Sequence, residues 1–267
     1  ALLVVDEAHK VTAPTYKSVA RGFMGLYTKV IGLTATPGRS SVDEKSNIEL
    51  AKFFFSRIIG IDSGKKPVLE YLKDEDILSH ASYEELITNR KYDLSIKDKI
   101  HLEKFYDLPS GILNHIGKDD VRNIEILKKI EILANNGRQI LFFACSVGHS
   151  KFISAYLSLL GIKSGHVDGS TPRNRRISLI HEFRNKYIQV LCNYGVLATG
   201  FDAPKIDVVF ISRPTSSIVL YSQMIGRGLR GPAIGGTKTC EIINVIDEIE
   251  GFTDENDIYE YFKDYYV

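Results

Sequence analysis

The chain of 267 residues reads as α/β: a doubly wound parallel sheet forms its main body, and a smaller strand–helix–strand lobe precedes it. Three observations predict this. Its strand-length runs are continuously apolar rather than alternating, the pattern of strands covered on both faces. Helical patterns alternate with those runs one for one, as in a parallel sheet with crossover helices. The helical patterns stop at turn residues, at Asn135-Asn136-Gly137 and again at Gly161.

In chain order, Leu2-Leu3-Val4-Val5 is a strand expected to be buried on both faces, and residues 30–33 are a second. The second stops at Thr34-Ala35-Thr36-Pro37-Gly38, where Pro37 and Gly38 end any ladder. Two strands do not make a stable sheet alone, so residues 1–60 read as the rear part of a larger lobe. The chain opens inside an apolar run and without Met, which places the expected native N-terminus upstream. Residues 61–118 are charged and weakly periodic and read as a connector holding a helix and a short strand or two. Residues 119–250 give strands at 139–145, 162–167, 188–192, 206–211 and 241–246. Helices fall at 121–134, 150–160 and 218–229. Another follows Ser170-Thr171-Pro172, with Ile177, Ile180 and Phe183 on its apolar face. Leu141, Phe143, Leu191, Val209 and Ile211 are expected in the core. Residues 251–267 are acidic and tyrosine-rich and read as a peripheral tail helix.

Composition narrows the function. A net charge of +1 means that any nucleic-acid surface is a local patch rather than the whole chain. Cys145, Cys192 and Cys240 show no CxxC spacing and read as reduced, buried thiols of a cytoplasmic protein. No apolar run approaches the roughly 20 residues of a membrane helix. His80, His101, His115 and His181 show no ligand spacing, so zinc is not expected.

Asp6-Glu7-Ala8-His9 follows an apolar strand directly, and ligands of open α/β sheets bind at the carboxyl ends of strands. An Asp–Glu pair there suits metal-assisted phosphoryl transfer. Asp6 would hold Mg²⁺ and Glu7 would orient the attacking water. The alternative is an acidic helix N-terminus favoured by the helix dipole. Residues 60–66, Gly-Ile-Asp-Ser-Gly-Lys-Lys, superficially look like a phosphate-binding loop. They have three residues between the glycines instead of four, and Lys66 where Ser or Thr is needed, so they read as an ordinary loop.

With the motifs further along, the chain resembles the superfamily 2 (DEAD/DEAH-type) helicases. Asp6-Glu7-Ala8-His9 is similar to their motif II, and Thr34-Ala35-Thr36-Pro37 to motif III. Residues 141–146, Leu-Phe-Phe-Ala-Cys-Ser, fit the motif IV strand, and residues 165–171 fit the segment after it. Leu197-Ala198-Thr199-Gly200-Phe201-Asp202-Ala203-Pro204 is similar to motif V, and Gln223-Met224-Ile225-Gly226-Arg227-Gly228-Leu229-Arg230 to motif VI. The order is the family's, and the set spans most of the chain. The resemblance implies RecA-like lobes that clamp ATP with Mg²⁺, and a P-loop upstream of this chain, without which the chain alone is expected to be inactive.

The roles implied are specific. Glu7, Arg227 and Arg230 are catalytic, the two arginines as fingers three apart on one helix. Asp6, Gly200, Asp202 and Gln223 serve the nucleotide. His9, Thr34 and Thr36 couple it to lobe movement. Ser146, Thr199 and Arg173 contact nucleic acid. Arg173, Arg175 and Arg176 also read as a plain solvated helix face. The TATP, Gly-Phe-Asp-Ala-Pro and Gly-Arg-Gly-Leu-Arg forms resemble the type III restriction/XPB/RadD-like group, which points to DNA. The expectation is an ATP-dependent DNA helicase or translocase. The alternatives are the motor portion of a restriction or phage-defence nuclease, and a non-catalytic nucleic-acid-binding module.

Overall fold

The computed structural model describes residues 1–34, 44–105, 107–197 and 205–250. The chain divides into two compact units, 1–62 and 63–267.

In the first unit, β1 (Leu2–Asp6) leads through a one-turn 3₁₀ helix (Ala8–Lys10) to α1 (Pro14–Phe23), then β2 (Lys29–Leu33) and α2 (Glu44–Phe53). Pro14 opens α1, where its missing N–H costs nothing. The two strands run parallel, with Leu2 opposite Lys29 and Asp6 opposite Leu33. Their carboxyl ends are therefore level. Leu3 and Val5 pack with Val11, Ala20, Leu50, Phe53 and Phe54. The strand period of two sends the other residues to the opposite face, where Leu2 is 60% and Leu33 51% exposed. The expectation of strands buried on both faces is corrected here: among the described residues, one face is covered.

The second unit starts with α3 (Val68–Asp74), β3 (His80–Tyr92), α4 (Ile96–Phe105) and α5 (Ser110–Ile116). Then α6 (Asp120–Asn135), β4 (Ile140–Phe143), α7 (Val147–Leu159), β5 (Ser164–Val167) and α8 (Arg173–Arg184) alternate. They are followed by β6 (Val190–Asn193), β7 (Val208–Ile211), α9 (Ile218–Ile225) and β8 (Thr239–Ile249). The sheet order is β3-β8-β7-β4-β6-β5 and every pairing is parallel. The five expected strands of residues 119–250 are present. The sixth, β3, comes from the stretch read as a connector. It is one long strand rather than short ones, and pairs with β8 from His80 to Tyr92 around a register shift between Ile87 and Lys91.

Strand alternation builds two cores. Leu141, Phe143, Leu191, Val209 and Ile211 meet Phe183 of α8 and Met224 of α9 on one face. Ile140, Phe142, Val190, Val208 and Phe210 meet α6 and α7 on the other. A third cluster joins Tyr92 and Leu94 to Leu102 of α4, Leu113 of α5 and Ile249 of β8. On α8 the buried residues are Leu179 and Phe183, while Ile177 is exposed. Of the expected apolar face, Phe183 is buried and Ile180 packs partly buried against the core, so Ile177 alone departs from it. Among the described residues no helix is long and apolar enough to cross a membrane.

Candidate functional site

In the first unit the chain leaves β1 at Asp6 and turns sharply. Glu7 adopts a left-handed backbone (φ 51°, ψ 49°), uncommon for a residue other than glycine. Its N–H donates to Asp6 Oδ1 at 2.8 Å. The turn places His9 in the interior, with Nδ1 3.1 Å from Thr34 Oγ1 and 3.5 Å from Glu7 Oε2. One imidazole therefore touches the residue after β1 and the residue after β2. Gly32 makes this possible: a Cβ there would lie 2.6 Å from the Phe54 ring and 2.9 Å from Ala8 Cβ. The residues of motifs II and III that the structure describes are thereby brought together. Thr36 lies outside the described residues, as do Thr199, Gly200 and Asp202.

In the second unit Ser217 caps α9, accepting from the Leu220 N–H at 3.3 Å. The helix ends at Ile225, with Gly226 at its C-cap. Arg227 follows in a turn, its Nε donating to the Gln223 carbonyl at 3.3 Å. Arg230 lies beyond the turn, in an isolated antiparallel bridge with Leu78. Arg227 and Arg230 thus do not share a helix, contrary to the expected helix to residue 229. The cause is packing. A Cβ at Gly228 would lie 2.5 Å from Val209 Cγ2 and overlap Cys240 Sγ, so the backbone leaves the helix to lie against the sheet. Burial, with the nearby Arg184 guanidinium, pushes Arg230 below the ordinary arginine value.

The end of β4 carries Ser146, the N-cap of α7, which accepts the His149 N–H at 3.2 Å. After β5, His166 bridges two partners. Its Nδ1 is 2.7 Å from Ser150 Oγ and its Nε2 is 3.0 Å from Asp168 Oδ2. Asp168 Oδ1 also accepts the Ser170 hydroxyl at 2.6 Å and the Ser170 N–H at 2.7 Å. The Ser170 hydroxyl and then His166 hold this carboxyl well below the usual carboxylate range. Beside it lies an open cleft of about 450 Å³ lined by Lys151, His166, Ser170, Thr171 and Arg175. The three arginines of α8 differ. Arg173 is exposed at the first helical position, and Arg175 pairs with Glu182 at 3.0 Å. Arg176 donates to the Asp168 carbonyl at 3.0 Å.

Residues 122–231 match the helicase conserved C-terminal domain. The chain is 30% identical over 257 residues to a Schizosaccharomyces pombe protein named as the mitochondrial ATP-dependent helicase irc3, covering 93% of this chain and 38% of that one. It is 29% identical over 235 residues to a 51.5 kDa protein of Lactococcus phage (isolate 7-9), covering 86% of this chain and 46% of that one. The chain belongs to the superfamily 2 helicases. The helicase fold also matches a fragment described as the HsdR subunit of a type I restriction enzyme from Vibrio vulnificus YJ016. That match has a TM-score of 0.63 at 17% identity, covering 96% of this chain and 44% of that one. This helicase chain spans less than half the length of the two curated relatives.

One feature of the helicase lobe gave no motif. Arg122, on the inner face of α6, is fully buried, and its Nε donates to both Asp247 oxygens at 2.9 Å. Its Nη1 reaches Ser212 Oγ at 2.9 Å, and its Nη2 the Ser212 carbonyl at 2.6 Å. Thr88 Oγ1 donates to Asp247 at 2.5 Å. The network ties α6 to β3 and to the carboxyl ends of β7 and β8. The available signal was spacing, since Arg122 stands in register with Ile126, Ile130 and Leu133 on an apolar face. In residues 60–66, Ser63 Oγ donates to the Lys66 carbonyl and Lys66 pairs with Asp74 at 2.6 Å. Among the described residues no three His, Cys, Asp or Glu groups cluster to hold a metal.

Proposed function

We propose that this chain supplies motifs II to VI of an ATP-driven DNA helicase or translocase. The observation that carries the reading is the His9 contact with both Glu7 and Thr34 at the level ends of two parallel strands. By this reading the contact would link the water-orienting carboxylate to motif III. Glu7 orients the attacking water, and Thr34 with Thr36 carries the change onward.

The donor set fits Mg²⁺ only as an ion shared with nucleotide phosphates. Asp6 offers a carboxylate at a strand end, and two neighbouring carboxylates alone do not complete an octahedral shell. When bound, that ion neutralises phosphate charge. Arg227 and Arg230 contribute guanidinium charge to the transferring phosphoryl group. Gln223, Gly200 and Asp202 bind the nucleotide. Ser146, Thr199 and Arg173 contact the nucleic-acid backbone. For Ser146 that role falls to whatever its capping bond leaves available, while Arg173 is exposed at the start of α8. DNA is preferred over RNA on the motif III, V and VI forms. Three buried, unbridged cysteines fit a reducing compartment such as the cytoplasm.

Residues 1–267 hold no GxxxxGK[ST] sequence. The chain by itself is therefore expected neither to bind ATP tightly nor to hydrolyse it, because a ring of N–H donors and a lysine normally fixes the phosphates. The test is nucleotide titration and ATP turnover, with DNA and with RNA, on this chain beside the product of the complete open reading frame. Turnover only by the longer protein, stimulated by DNA, is expected. Equal turnover by the chain alone would reveal another phosphate site, and stimulation by RNA alone would overturn the DNA assignment.

A further inference from the structure

The sheet of the second unit ends on β5, and among the described residues no strand pairs with its other side. Its one partner, β6, fixes which backbone groups are used. The Lys163 and Val167 carbonyls accept the Val190 and Tyr194 N–H groups at 3.1 and 3.3 Å. Backbone direction alternates along a strand, so Lys163, Gly165 and Val167 face β6. Ser164 and His166 therefore turn their N–H donors and C=O acceptors outward.

The cleft of about 450 Å³ runs along this edge. Ser164 and His166 meet Lys151 and Ser154 of α7 on one wall, and Arg175 and Leu179 of α8 on the other. These two helices pack on opposite faces of the sheet, so a cleft touching both of them and β5 lies at the outer edge of the strand. The side chains of the edge are engaged with α7: Ser164 Oγ donates to the Ser154 carbonyl at 2.6 Å, and His166 Nδ1 lies 2.7 Å from Ser150 Oγ. Residues 251–267, expected as a tail helix, lie outside the described residues, and the cleft is built without them.

An unpaired edge between two walls is a seat for one more strand. Charge selects the occupant. Residues 147–184 carry Lys151, Lys163, Arg173, Arg175, Arg176 and Arg184 against two carboxylates, Asp168 and Glu182. Asp168 is 2% exposed and is held by Ser170 and His166, while Glu182 pairs with Arg175 at 3.0 Å. Lys151 lies 4.0 Å from Asp168 Oδ2 and keeps 61% of its side chain exposed. A second copy pairing edge to edge would bring two such basic walls together, which disfavours it. Nucleic-acid phosphates offer only acceptors and leave the Ser164 and His166 carbonyls unanswered. A peptide strand offers both donors and acceptors.

We propose that the β5 edge binds an acidic, extended peptide segment of a protein partner by strand addition, with its backbone on Ser164 and His166 and its carboxylates beside Lys151 and Arg175. The site lies within the second unit and stands or falls independently of the proposed motor function.

The experiment titrates the full chain with a capped heptapeptide of alternating valine and glutamate and follows hydrogen exchange residue by residue. Saturation should slow exchange at the Ser164 and His166 amides by about tenfold or more, because both gain acceptors. The same peptide N-methylated at every central amide should not slow it. A peptide with lysine in place of glutamate should bind about tenfold more weakly, and the glutamate peptide should bind the double variant Lys151→Glu, Arg175→Glu more weakly by a similar factor. No slowing at Ser164 and His166 would overturn the proposal, as would equal binding of the N-methylated or the lysine peptide. Slowing there by a single-stranded oligonucleotide but not by the peptide would overturn it in favour of nucleic acid. Slowing that grows with protein concentration in the absence of peptide would overturn it in favour of a second copy.

Discussion

The two sheets of this chain are both parallel, yet they are finished to different degrees. In the second unit, residues 140–143, 190–193 and 208–211 are buried on both faces, sandwiched between α6 and α7 on one side and α8 and α9 on the other. In the first unit, β1 and β2 have α1 and α2 on one side, and alternate residues face outward. The same apolar runs in sequence thus have two outcomes. Burial of a parallel strand is a property of the layers around it, and a strand's own sequence reports only what it is suited to. The residues proposed for chemistry are divided too. The first unit carries Asp6, Glu7 and His9 at a two-stranded sheet, and the second carries Arg227 and Arg230 beside a six-stranded one.

The largest expected effect sharpens that contrast. Arg122→Ala or Asp247→Ala should destabilise the second unit by roughly 3–5 kcal/mol, since each leaves a buried charge uncompensated. Replacing both, as Arg122→Met with Asp247→Leu, should cost far less. Urea unfolding of the single and double variants measures this. Equal loss in single and double variants would mean that the pair's packing, not its charge, holds the strand ends.

Next come the cores. Leu141→Ala in β4 should cost roughly 2–5 kcal/mol, the usual range for a fully buried leucine. Leu33→Ala in β2 should cost under about 1 kcal/mol, because its side chain is half exposed. Comparable losses at both sites would show that the outer face of the first sheet is covered in solution.

The smallest effect is a pH dependence. Burial, and then the Arg122 charge, hold His149 well below the ordinary histidine value. The folded state then binds fewer protons than the unfolded state below pH about 6.5. Its stability contribution is present above that pH and declines as pH falls, by at most about 1.4 kcal/mol per unit. Unfolding curves of the native chain and of His149→Gln between pH 7 and 5 check the sign. A native chain no more pH-sensitive than the variant would contradict it.

Much of this was legible in the sequence. The strands at 140–143, 190–193 and 208–211 announce themselves because fully buried parallel strands are unbroken apolar runs. β3 was not read as a long strand because it is an edge strand, and its charged residues Glu84, Glu85, Arg90 and Lys91 mask the pattern. The end of α9 at Ile225 was missed although Gly226 and Gly228 were available stop signals. A Cβ at Gly228 would run into Val209 and Cys240, so only glycine lets the backbone lie against the sheet there. Arg122 and Asp247 are 125 residues apart, so no local pattern could pair them. In the first unit, the motifs pointed to Glu7, His9 and Thr34, whose side chains the structure brings together. The left-handed turn at Glu7 and the role of Gly32 depend on a close approach between β2 and the 3₁₀ turn, which sequence spacing does not report.

The central proposal is that Glu7 and Arg227 are each needed for ATP turnover by the longer protein. The most direct measurement is DNA-stimulated ATP turnover by the product of the complete open reading frame, unaltered and as Glu7→Gln or Arg227→Ala, with folding verified for each. An arginine acting on the transferring phosphoryl group is worth roughly 10³–10⁵ in rate, and Arg227→Ala should lose that much. Glu7→Gln should likewise lose most turnover. Near-native turnover in both variants would contradict the account.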